Sequence, residues 1–245
     1  MSLLKNIIKT DDIIKSMKKA FLAADNKSGQ TYIELQKGMV SHSQFRYLTY
    51  SSNDREKLIQ IESFYNDIRN TNFAKHNPFF WEQFASAYID MKKFDLVKKC
   101  IETALVEARK IQHFVPFQVR TVQGRYFVEK SYFDLLNGEC NSHEAVSAIS
   151  DSFNSIVKHY DHPENNLYYV FKVVKFYPVI FNLIKDEMDK SELSIYIEKN
   201  SIMCKYMETY LLKNPESQFA GKVIKWKESV KNSLDEAKEK LKKFK

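Results

Sequence analysis

His159-Tyr160-Asp161-His162 is the densest group of metal-type ligands in the chain. Two imidazoles at that spacing can share one side of a helical turn. A bound transition metal needs three or four such donors, and no third ligand on that side is indicated. An ordinary polar loop ahead of Pro163 is therefore the stronger reading. Phosphate chemistry of the P-loop kind needs a glycine-rich turn whose amides cradle the phosphates and which ends in Gly-Lys-Ser/Thr. Gly221-Lys222-Val223 lacks both the upstream glycine and the hydroxyl. Neither the G-x-S-x-G elbow, the G-x-G-x-x-G turn nor the H-E-x-x-H zinc helix occurs. Paired acids such as Asp11-Asp12 and Asp186-Glu187 fall at expected helix ends, where capping or solvation explains them. Cys100, Cys140 and Cys204 are odd in number, lie far apart and form no C-x-x-C, which suits reduced thiols. We assign no catalytic, cofactor-binding or metal-ligating residue from the sequence. The expectation is a non-enzymatic protein that uses no cofactor.

The elements that would position any site read as helices. Only five Gly and five Pro punctuate 245 residues, too few turns for a many-stranded sheet. Helical spacing predicts segments over 3–24 and 32–50, and a third opening at Asp54 through Leu58, Ile61, Phe64, Tyr65 and Ile68. Asn77-Pro78 starts the clearest one, Phe79 to Asp90, with Trp81, Phe84, Ala85 and Tyr88 on one stripe. A short turn, plugged by Phe94, leads to a second helix through Val97, Ile101, Ala104, Leu105 and Ala108. A similar pair follows: Phe117 to Leu136, closed by Asn137-Gly138, then a helix opening at Ser142-His143-Glu144. A less regular pair spans 166–187, which Pro178 should kink or break, and 191–212. Tyr168-Tyr169, Lys172, Lys175 and Tyr177 could stack bases, but packing of those rings is the stronger reading.

Each hairpin has an apolar stripe that it cannot bury alone, so stacking on neighbours follows. Trp81, Phe84, Ala85 and Tyr88 fit the first-helix pattern of a tetratricopeptide unit, and Gly124 with Phe127 fits a second unit more loosely. The expected fold is thus an all-α, tetratricopeptide-like array of helical hairpins over residues 1–221. A basic amphipathic helix, 222–245, would cap it through Val223, Trp226, Val230, Leu234, Ala237, Leu241 and Phe244. By repeat geometry, Glu82, Ser86, Arg125 and Glu129 would line the partner-binding groove.

The run from Leu35 to about Arg125 resembles the C-terminal helical region of large bacterial P-loop NTPases of the STAND class and of sirtuin-like relatives. Val40-Ser41-His42-Ser43, Leu58-Ile59, Phe64-Tyr65 and Asn77 to Ala85 carry the resemblance, with a weaker echo in Gln118 to Phe127. It implies a sensor or scaffold module of a bacterial defence or signalling system.

Charge and hydropathy narrow the partners. The net charge is +7, but residues 222–245 hold nine Lys and four acids, a surplus of +5 that leaves +2 for the body. A basic nucleic-acid-binding body is not indicated, and the tail carries that reading as the alternative. No apolar run approaches the length of a membrane span, and Lys5 and Asn6 interrupt any signal-peptide core. The expectation is a cytoplasmic protein with a protein or peptide partner and no membrane contact. The sequence leaves the oligomeric state open.

Overall fold

The computed structural model describes residues 59, 62, 63, 65, 66, 69, 70, 72–112, 117–157, 170 and 173–244. All regular structure among them is helical. The segments expected over 3–24 and 32–50, the cap at Asp54, the Val40 to Ser43 match, the His159 to His162 cluster and Tyr168-Tyr169 lie outside the described residues. Contacts divide the chain into two compact units, 1–119 and 120–245. The division falls inside the stretch expected to be one repeat domain, and the C-terminal helix belongs to the second unit.

The first unit contains α1 (Asn72–Lys75), α2 (Pro78–Asp90) and α3 (Phe94–Gln112). Asn77 caps α2, its side-chain oxygen accepting from the amides of Phe79 at 3.0 Å and Phe80 at 3.4 Å. Pro78 takes the first helical position, where its missing N–H costs nothing. At the other end Lys93 N–H bonds the Tyr88 carbonyl and Lys92 N–H that of Ile89, a Schellman cap. Lys92 meets its geometry with φ of 60°. The three-residue turn folds α3 back against α2. Tyr65, Phe80 and Phe84 form the aromatic centre, with Tyr65 and Tyr88 stacked on Phe84 at 4.3 and 4.4 Å. Stacked pairs of this kind add about 0.5–1.5 kcal/mol each beyond their burial. Trp81 is only half-buried, and its indole N–H donates to the Lys75 carbonyl at 3.0 Å. Val97, Ile101, Ala104 and Ala108 of α3 are buried as the stripe predicts; Leu105 is half-buried, and Cys100 joins the core.

The second unit takes up α4 (Phe117–Leu136) from Arg120 onward, followed by α5 (Ser142–Val157), α6 (Phe176–Ile184), α7 (Lys190–Lys213) and α8 (Ala220–Lys242). Gly138, at φ of 72°, closes α4 in the same Schellman geometry, with Glu139 N–H on the Asp134 carbonyl. Reciprocal capping boxes open α5 and α7. Asn141 and Glu144 exchange bonds of 2.9 and 3.0 Å, and Asp189 and Glu192 bonds of 2.8 and 2.9 Å. Pro178 lies in the first turn of α6, where a proline is tolerated, so the expected break precedes it at Lys175. α5 packs on α7, α6 on both α5 and α8, and α7 folds back on α8.

Two buried tyrosine hydroxyls in this interior are paired. Tyr177 is fully buried and meets Ser152 Oγ at 3.1 Å, which removes it from any base-stacking surface. Tyr196 stacks on Phe181 and meets Ser233 Oγ at 2.7 Å. α8 buries Val223, Val230, Leu234 and Ala237, with Trp226 and Leu241 half-buried. Phe244 departs from the expected stripe. The helix ends at Lys242, so the heptad register no longer governs Phe244, which is 45% exposed.

Candidate functional site

The repeat alignment places Glu82 and Ser86 toward a partner, but the structure covers both. α2 buries ten of its thirteen residues. Small or apolar side chains occur all round it, including Phe79, Ala87 and Ile89 off the expected stripe, and such a helix becomes central instead of lining a groove. Glu82 and Ser86 are 5% and 3% exposed, and Gln83 donates to the Glu82 carboxylate at 2.6 Å. On α4, Arg125 Nε donates to Glu129 Oε1 one turn away, Glu129 being buried and Arg125 largely so. Within one helix this pair is a structural unit. The groove-facing positions therefore offer little open surface.

Other buried carboxylates are similarly engaged. Glu107 of α3 receives Lys110 Nζ at 2.8 Å and lies 3.2 Å from His76 Nδ1. Burial pushes its carboxyl up, but hydrogen bonds from Lys110 and His76 outweigh that and hold it below its ordinary range. Glu192, besides capping α7, accepts from Ser142 Oγ at 3.3 Å and has His143 at 3.6 Å, tying the starts of α5 and α7 together. Burial pushes the Cys100 thiol up to about 12 and raises the Cys140 and Cys204 thiols as well. A neutral thiol is a poor nucleophile. Tyr88 is raised to about 12, first by burial and then by the Glu62 carboxylate. These shifts come from packing and structural pairs.

The accessible surface lies elsewhere. On α3 Val106 is 49% exposed, among Lys99, Glu102 and Lys110, with exposed Leu96 at the edge of that face. On α8 the outward face carries Glu228, Asp235 and Glu239 along its middle, spaced to fall on one side of the helix. Lys225, Lys231, Lys238 and Lys242 flank them, while Lys227 and Lys240 pair with Glu208 and Asp186. The tail's positive surplus is thus interrupted by acids, not gathered into the continuous stripe that tracks a phosphate backbone.

Among the described residues, no group of three or more His, Cys, Asp or Glu is placed to hold a metal ion. No described helix is long and apolar enough to cross a membrane. The exposed face of α3 escaped the reading from sequence because that reading followed buried stripes. Its signal was present in Val106, an apolar residue opposite the Ala104–Ala108 stripe. No family model, curated protein or solved structure matches this chain.

Proposed function

We propose that the chain is a non-enzymatic protein-interaction module, a sensor or scaffold on tetratricopeptide-like hairpins, that binds a protein or peptide in the cytoplasm. The observation that carries this reading is the outward face of α3. It leaves Val106 and Leu96 exposed among mixed charges while its own partner helix α2 is covered. An apolar centre rimmed by both signs of charge suits a polypeptide better than a uniformly anionic ligand. The small residues at Ala85 and Ala104, both fully buried, support the repeat-like hairpin. The resemblance of Asn77 to Ala85 to STAND-type helical regions supports a defence or signalling setting.

The test uses the full chain as bait in native lysate, comparing wild type with a Leu96→Glu/Val106→Glu variant of matched melting temperature. Recovery of a specific protein that survives nuclease treatment and is lost with the variant is the expected result. Recovery that nuclease abolishes would favour the nucleic-acid alternative, and equal recovery by both forms would reject α3 as the surface.

A further inference from the structure

The outward face of α6 combines apolar exposure with charges placed against the helix's own dipole. Val179 and Leu183 are 41% and 47% exposed although α6 is apolar over most of its length, a composition that usually means burial on every side. Lys175, Val179, Asn182 and Asp186 follow one another at helical spacing along this face, all exposed, with Leu183 beside them. Tyr132 of α4 lies against the Phe176 ring, centroids 5.9 Å apart. Leu136, one turn further along that side of α4, is 59% exposed and extends the apolar strip.

The charges give the strip a direction. Lys175 occupies the N-cap of α6, and Asp186 and Glu187 follow its C-terminus. Both placements oppose the helix dipole, which favours anions at the start and cations at the end. Lys175 Nζ sits 5.0 Å from the Phe176 ring centroid, and Asp186 stays 83% exposed while it pairs with Lys240 at 2.5 Å.

We propose that this face binds a second copy of the chain, with the two α6 helices antiparallel about a twofold axis. In that arrangement Lys175 of each copy meets Asp186 of the other. Val179 of each copy falls between Asn182 and Leu183 of the other. Each misplaced charge then faces the favourable end of the neighbouring helix dipole. A parallel arrangement would set like charges together, so the pattern selects the antiparallel one. One helix face and its flank fall at the low end of interface size, under roughly 1,200 Å² in total, so the dimer is weak and concentration-dependent. The inference does not depend on the α3 reading.

Sedimentation velocity on the full chain over a concentration series tests it. Wild type should pass from monomer to dimer, and Leu183→Glu should stay monomeric. Lys175→Glu and Asp186→Lys should each weaken self-association at least about tenfold, since each sets like charges across both symmetric contacts. An equimolar mixture of those two variants should recover wild-type association, because every contact across the mixed dimer again joins opposite charges. A wild type that stays monomeric through the high-micromolar range, a dimer insensitive to these changes, or folded variants that fail to associate on mixing would overturn the proposal.

Discussion

Gly124 of α4 lies so close to Ile156 of α5 that a β-carbon on the glycine would stand 3.0 Å from the isoleucine side chain and 3.1 Å from the Ser152 carbonyl. The isoleucine is buried and the carbonyl belongs to a helix backbone, so neither can retreat far. Gly124→Ala gains about 1 kcal/mol of helix propensity and loses about 1–3 kcal/mol to overpacking. We expect a net loss of about 1 kcal/mol in denaturant unfolding, and a larger one for Gly124→Val. Gly221→Ala is the control. Nothing lies within 4 Å of its added carbon, so that variant should be neutral or more stable. A stabilised Gly124→Ala would show that α4 and α5 separate at this point.

Lys92 and Gly138 close α2 and α4 with the same pair of backbone bonds, but only one is a glycine. A side chain in the left-handed region costs roughly 1–2 kcal/mol, which a glycine avoids. Lys92→Gly should therefore raise stability by about 1 kcal/mol, and Gly138→Ala should lower it by a similar amount. Chemical denaturation midpoints at unchanged slope check both. Opposite signs at two equivalent positions separate the cap from any contact of the lysine chain.

These caps mark how far the sequence was legible. Asn77-Pro78 and Asn137-Gly138 announced their helix ends because Pro78 and Gly138 act through backbone dihedrals and Asn77 through a side chain that bonds the adjacent amides. Lys92 gave no such sign, since its left-handed conformation is imposed by the turn that returns α3 onto α2. The helix expected to open at Ser142 does so, and the capping boxes of Asn141 with Glu144 and Asp189 with Glu192 fix the starts of α5 and α7. The stripe through Trp81 and Phe84 identified α2 but described one side of it. Phe79, Ala87 and Ile89 bury the other, and they turn Glu82 and Ser86 from groove positions into covered ones. Phe244 failed for a different reason: a heptad register extends only as far as its helix.

The three cysteines should separate by reactivity. Cys100 is 4% exposed and its thiol is pushed up to about 12, whereas Cys140 and Cys204 are half-buried. Thiolate fraction and access both control the reaction. Titration with a disulfide reagent at neutral pH should label Cys140 and Cys204 first and Cys100 only after denaturant is added. Early labelling of Cys100, mapped by peptide mass, would mean that the α2–α3 hairpin opens readily.

Glu107 gives the first unit a dependence on acid. Its folded-state value lies below the ordinary 4.5 because Lys110 and His76 bond its charged form. A depressed carboxyl contributes stability that is fully present above the unfolded value and is lost as pH falls through the folded one. Glu107→Gln keeps the shape and removes that charge. At neutral pH the variant should be less stable by about 1 kcal/mol, a figure held down by the exposure of both partners. As pH falls below 4.5, wild type should lose this margin while the variant does not, and their melting temperatures should converge. A constant gap across that range would mean that Glu107 acts through packing. No gap at any pH would mean that the His76 and Lys110 bonds contribute nothing net. Added salt at neutral pH should also narrow the gap, because both partners reach solvent.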